Sequence, residues 1–434
     1  MIRLGTLDLV NAGETEVELI LERSAVPDPD TRSAAASIVA EVRRGGDAAV
    51  VELGRRFGGT LAGGALRVPQ EELTAAWGRI PNSLRTALRR AVENIRRTHE
   101  PQRPTDHPFE VAPGVRVDRR WQPVQRVGVY VPGGRAPYPS SLLMGVVPAQ
   151  VAGVPEIAVT TPADSAGSIS DAILAAAAML GIDEVYAVGG AQAVAALAYG
   201  TETIARVDKI VGPGNAWVTA AKLAVFGDCA VDLPAGPSEA LVVADASADP
   251  RIVAADLLCQ AEHGPDSPVL LVTTSPELGA LVETKIAALL PRLERADILE
   301  KSLTDHGLIV LAPDAEAAIA FANRYAPEHL SIHTEDATAD AQRLTSAGSV
   351  FVGHWSPESA GDYATGANHV LPTGGLAGSY GPLSVEDFGS WRQVQELTRA
   401  GLAALRPVIT ALADAEGLGA HRLAAEIRFE DAET

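Results

Sequence analysis

Arg126-Val127-Gly128-Val129-Tyr130-Val131-Pro132-Gly133-Gly134 is the stretch that decides how the rest of the chain is read. A short β-rich run, uninterrupted by charge after Arg126, breaks at a Pro-Gly-Gly turn and leads into a helical segment. A strand buried on both faces of a parallel sheet has this pattern. Shorter runs at 157–160, 185–188 and 209–211 also end at Gly or Pro and lead into Ala-rich helical stretches. Strands alternating with helices imply βαβ units. The rhythm returns at 241–243, 269–272, 308–311, 330–332 and 349–352, so the chain reads as two α/β halves, without a clear sequence repeat between them.

Outside these halves the reading is helical. Apolar residues at helical spacing over 30–53 and 70–98, with a Pro/Gly-rich break between, make the first 125 residues mostly helix. Beyond Gly361 the chain is Gly-rich to about Pro382, then helical through Glu426 apart from a break at Gly417 to Gly419.

Composition narrows the function. The 434 residues are 47% hydrophobic and 21% charged, which is globular and ample for two or three domains. Fifty-five acidic against 35 basic residues leave a formal charge of −20, a surface that repels nucleic-acid phosphates and anionic membranes. No basic stretch precedes an apolar run in the first 30 residues, and Asp183 and Glu184 interrupt the Ala-rich segment 172–180. Cys229 and Cys259 cannot form a disulfide framework or a four-thiolate metal site. The expectation is a soluble cytoplasmic protein.

Several segments carry side chains suited to chemistry. Tyr130 runs into Pro132-Gly133-Gly134, Gly189-Gly190-Ala191-Gln192 follows the third run, and Gly212-Pro213-Gly214-Asn215 follows the fourth. Such turns gather at the carboxyl ends of parallel strands, where backbone N–H groups can meet a nucleotide, although βα turns use glycine in any case. The G-x-G-x-x-G fingerprint is absent. Gln260 and His263 are three residues apart near the end of a helix that starts close to Pro250, with Glu262 pointing elsewhere. That spacing suits a shared metal ion, or His263 simply closes the helix. Glu328 and His329, after Pro327, offer two bases of different pKa, or a packed strand start. Asp362 lies in a Gly-flanked segment followed by Asn368-His369, either a ligand or a turn former. His421 alone reads as a surface residue.

In sequence order, the stretches VGVYVPGGRAPYPSSLLM, VGGAQAVAALAYGT, KIVGPGNAWV, DLPAGPSE, LLCQAEHGPDS, APEHL, SAGDYATGANHVLPT and EGLGAHR resemble the histidinol dehydrogenase family from about residue 25 to 425. The resemblance implies oxidation of L-histidinol through L-histidinaldehyde to L-histidine, with two NAD and one Zn²⁺. Gln260, His263, Asp362 and His421 take the metal positions, His421 coming from the partner subunit of a homodimer. Glu328 and His329 take the acid/base positions. Ser238 and Glu416 join His329 and the metal residues as substrate contacts, and Tyr130, Gln192 and Asn215 take the NAD positions. Cys259 is not expected to act as a nucleophile.

The implied fold is α/β, with two Rossmann-like parallel-sheet domains and small helical N- and C-terminal segments intertwined across the dimer. The expected division is 1–26, then 27–129 with 239–382 carrying the metal and acid/base residues, 130–238 carrying the NAD turns, and the tail 383–434. Other readings of the same residues are a related zinc/NAD dehydrogenase acting on another small polar alcohol, and a zinc hydrolase with a Glu base. Because ligation needs neutral imidazoles, acid is expected to weaken the site as His263 and His421 protonate.

Overall fold

The computed structural model describes residues 3–133 and 136–430. Gly134, which closes the turn after Tyr130, lies outside them. Contacts divide the chain into a unit of Met1–Gln102 with Val124–Phe388 and a unit of Arg103–Pro123 with Gly389–Thr434.

The first unit holds two parallel sheets. In the five-stranded sheet the spatial order is Val185–Ala187, Glu156–Thr161, Arg126–Tyr130, Lys209–Val211, Ala230–Val231. The chain therefore starts in the middle, adds two strands on one side, and crosses back to add two on the other. The six-stranded sheet runs Gly5–Asp8, Gly307–Leu311, Val269–Thr273, Ala240–Ala244, His329–His333, Ser349–Val352 and winds the same way from Ala240–Ala244. All strand pairs in both sheets are parallel. The expected α/β class with two parallel sheets is what the chain adopts.

Period-two alternation accounts for the burial. In the six-stranded sheet Leu241, Val243, Leu270 and Val272 face one core while Val242, Leu271 and Ile309 face another. Because helices cover both faces, these strands carry apolar residues at every position. Each such side chain contributes roughly 1.5–3 kcal/mol by leaving water.

Asp28 caps the helix Pro29–Phe57, its carboxylate accepting from Thr31 N at 2.9 Å with Pro29 at the first helical position. The helix kinks at Gly46, whose φ of 54° suits glycine, and the carboxylate of Glu202 accepts from Asp47 N at 2.7 Å there. Pro81 divides the helical stretch expected over 70–98 into Gln70–Arg79 and Asn82–His99.

Three expectations need correction. Residues 27–129 are expected with the metal-bearing half, yet Ile38, Val39, Val42, Val50 and Leu53 share a core with Val194, Leu197 and Ile210 of the five-stranded half. The boundary at 129/130 falls inside the strand Arg126–Tyr130, because Tyr130 continues the ladder opposite Thr160. The terminal segments are not purely helical either. Gly5–Asp8 extends the six-stranded sheet, and Gly389–Leu397 pairs antiparallel with Val115–Pro123, itself flanked by Glu110–Ala112. Those last strands, rich in Arg, Gln and Glu, have few buried positions, so hydrophobic periodicity does not mark them.

Candidate active site

The amino edge of the six-stranded sheet gathers most of the chemistry. Strands Ala240–Ala244 and His329–His333 are neighbours with His329 opposite Ala240, so the residues just before them, Ser238-Glu239 and Pro327-Glu328, lie side by side. Ala326 turns the chain into that position at φ 48°, the only non-glycine residue with positive φ among the described residues. A residue before proline avoids the helical region, and a left-handed alanine is strained, so the surrounding fold holds this turn in place. Helix Pro250–Ala261 leaves the carboxyl edge and returns, bringing Gln260 in its last turn and His263 just beyond it to the same end. Helix Glu358–Tyr363 packs against it and contributes Glu358 and Asp362, four residues apart and one above the other.

Ligand atoms of His263, Glu358 and Asp362 lie within 4.8 Å of one another. Glu358 Oε1 is 3.8 Å from His263 Nε2 and has no hydrogen-bond partner, although the residue is 1% exposed. Gln260 is fully buried, and both polar atoms of its amide also lack partners. Buried polar groups are nearly always satisfied, and adjacent buried carboxylates repel one another. Burial pushes Asp362 up to about 6. It raises Glu358 well above the usual range, with Asp362, Glu328 and Asp256 adding repulsion. An imidazole and two carboxylates that converge, at a helix end that also carries the buried, unpartnered amide of Gln260, form a donor set that fits a divalent metal.

Next to this cluster stand the two bases. Glu328 Oε2 accepts from Glu239 N at 3.0 Å, and His329 Nδ1 is 3.8 Å from the same oxygen and otherwise unpartnered. Burial drives Glu328 well up; hydrogen bonds from the Glu239 N–H and the Ser238 hydroxyl oppose this, while Glu239 and Asp362 add to it. Burial pulls His329 down to about 3, helped by His263 and His369. His369 Nε2 lies 3.3 Å from the Ser141 hydroxyl and its Nδ1 3.1 Å from the Asp362 carbonyl. An adjoining cavity of about 520 Å³ is lined by His263, Asp362, Cys259, Glu262, Arg295 and Tyr363 among others, with an apolar wall from helix Asn82–His99.

The sequence reading picked out His263, Asp362, Gln260, Ser238, Glu328 and His329, and the structure brings them to one edge. It missed Glu358, whose signal is the spacing of two acids four apart on one short helix. It also set Glu262 aside, although Glu262 lines the cavity with His263. Cys259 lines it too, but burial and the carboxylates of Glu358 and Asp362 raise its thiol far above neutrality, which leaves a poor nucleophile.

Tyr130, Gln192 and Asn215 belong to the carboxyl edge of the five-stranded sheet. Strand order reverses between Arg126–Tyr130 and Lys209–Val211, the position where a doubly wound sheet opens a crevice. The Tyr130 hydroxyl accepts from Gly190 N at 3.1 Å, tying two of the turns together. Asn215 Oδ1 caps helix Ala216–Val225 from Trp217 N at 3.1 Å and Val218 N at 3.2 Å, and Gln192 is 5% exposed. Four helices following strands of the six-stranded sheet are capped by the side chains of Asp249, Ser275, Asp314 and Asp336, while helix Glu358–Tyr363 has no side-chain cap. Of the helices following the five-stranded sheet, those after Ser170 and Asn215 are capped by side chains and those after Tyr138 and Gly189 are not, although the Gly190 N–H is taken by Tyr130.

Glu416 and His421 lie in the second unit, at the end of helix Arg399–Glu416 and on helix Gly419–Glu426, both exposed. Exposed apolar residues on these helices include Val408, Leu412 and Leu423.

A profile described as histidinol dehydrogenase matches residues 21–429. The chain belongs to the histidinol dehydrogenase family. It is 46% identical over 421 residues to the histidinol dehydrogenase of Vibrio parahaemolyticus, covering 96% of each chain. It is 49% identical over 413 residues to that of Halobacterium salinarum, covering 95% of this chain and 96% of the other. The crystal structure of histidinol dehydrogenase from Elizabethkingia anophelis superposes with a TM-score of 0.92 at 38% identity, covering 99% of this chain and 98% of that one. That histidinol dehydrogenase therefore shares this fold.

Proposed function

We propose that this chain oxidises L-histidinol through L-histidinaldehyde to L-histidine, in the last steps of histidine biosynthesis, with NAD as oxidant. The observation that carries the reading is the buried pair Glu328 and His329 beside the converging donors His263, Glu358 and Asp362. Zn²⁺ would be held by Gln260, His263 and Asp362 together with His421 of the partner subunit. The Gly-rich edge with Tyr130, Gln192 and Asn215 would take the dinucleotide. When bound, zinc supplies coordination to the amine and imidazole of the substrate, and NAD accepts a hydride in each oxidation.

The chain's own groups supply the proton transfers. His329, held neutral by burial, accepts the hydroxyl proton in the first oxidation through its unpartnered ring nitrogen. Glu328 then takes a proton from the water that adds to the aldehyde; the burial that raises it makes its carboxylate a stronger base. Ser238, adjacent to Glu239, and Glu416 of the partner subunit would contact the substrate. A closed site keeps the aldehyde from escaping between steps.

The exposed apolar residues of the second unit support a homodimer, since such a face is commonly covered by a partner. No helix among the described residues is long and apolar enough to cross a membrane, and we assign the protein to the cytoplasm with the rest of its pathway. NADH formation from L-histidinol and from a panel of other small polar alcohols tests the assignment. Histidinol should be turned over far faster than any other alcohol; equal or faster oxidation of a different one would overturn it.

A further inference from the structure

Lys222 and Asp232 are buried, with side chains 5% and 2% exposed, and take no part in the chemistry described above. Lys222 Nζ lies 2.5 Å from Asp232 Oδ1 and also donates to the Gly212 carbonyl. Asp232 Oδ2 accepts from Gly212 N at 2.7 Å. One ion pair thus holds both polar main-chain groups of a single residue. Gly212 has φ 117°, and a Cβ there would sit 2.1 Å from the Tyr130 carbonyl oxygen, so no side chain fits. The residue is pressed against the end of the neighbouring strand where the strand order reverses, and it opens the turn Gly212-Pro213-Gly214-Asn215.

A buried ion pair is weak evidence for added stability, because desolvation offsets its attraction, and an apolar pair of similar size often serves as well. Its better-attested use is to fix one arrangement among several. We propose that Lys222 and Asp232 are positioning residues for the dinucleotide, clamping Gly212 so that the Gly212–Asn215 turn stands at the height the cofactor needs beside Tyr130. This rests on the placement of NAD at that edge.

The test compares Lys222→Met/Asp232→Asn, Asp232→Asn alone and Asn215→Ala, each as the full-length enzyme. The double variant should raise KM for NAD about tenfold while KM for histidinol stays within about twofold and kcat at saturating NAD is retained. Zinc content should not change. A lowered Tm with unaltered KM for NAD would overturn the clamp and leave the pair purely structural. If Asn215→Ala raises KM for NAD and neither pair variant does, the clamp fails while the NAD placement stands. If Asn215→Ala also leaves it unchanged, the placement fails and the proposal falls with it. Should neither pair variant fold, the pair is a folding element and the proposal is likewise overturned.

Discussion

Glu239 holds Glu328 through its main chain: the Glu239 N–H donates to Glu328 Oε2 at 3.0 Å, and the next N–H in the neighbouring strand, that of His329, donates to the Glu239 carbonyl at 3.2 Å. The carboxylate of Glu239 is in turn paired with Arg23 and accepts from Gly374 N at 3.1 Å. Glu239 therefore fixes the carboxylate of Glu328 and the main chain of His329.

Glu328→Gln retains an oxygen to accept from Glu239 but cannot take a proton from water. Oxidation of added histidinaldehyde should fall about a hundredfold or more, and oxidation of histidinol to the aldehyde should fall less. His329→Ala should abolish the first oxidation. Single-turnover NADH formation from each substrate measures the split, and equal losses in both steps for Glu328→Gln would contradict it.

Glu358 was not foreseen from the sequence, yet it shares the cluster with His263 and Asp362. Glu358→Gln should weaken zinc retention about 10–100-fold, the usual effect of removing a group that orients metal ligands. Metal content after dialysis against a graded chelator series measures this. Unchanged retention would make Glu358 a bystander.

Acid should weaken metal binding through a different group from the one sequence reasoning favoured. Burial and Arg295 lower the pKa of His263, so it stays neutral further into acid than a free imidazole. Asp362, pushed up to about 6, binds a proton more readily than an ordinary carboxylate. A cation must displace that proton, so affinity is full well above pH 6 and declines as pH falls through that value. Titration calorimetry in buffers of different ionisation enthalpy should show proton release at pH 6 that shrinks by pH 8. Release that is absent at pH 6 would contradict the assignment.

Much of this arrangement was legible in the sequence for a physical reason. Strands such as Val269–Thr273 are buried on both faces and appear as unbroken apolar runs, and the βα turns at Gly189 and Gly212 follow each run directly. The strands Val115–Pro123 and Gly389–Leu397 were not legible. Their pairing joins segments far apart in the chain, and the few buried positions, Val115 and Asp118, do not fall on one face of a strand. Glu358 escaped because a lone acid after proline looks like a surface residue until Phe351 and the helix Pro250–Ala261 enclose its helix.

If His421 and Glu416 act across a dimer, two inactive variants should rescue each other. Mixing His421→Ala with His329→Ala under conditions that exchange subunits gives hybrids with one intact site each, and roughly a quarter of wild-type activity should return by random pairing. No recovery, with exchange verified by mass, would place the whole site within one chain.

The most direct measurement is the yield of NADH per L-histidinol consumed, taken on protein of known zinc content before and after chelation. The account predicts two NADH per histidinol, one zinc per chain, and loss of both oxidations on removal of the metal, with recovery on its return. One NADH per histidinol with aldehyde released, or full activity in the chelated protein, would contradict it.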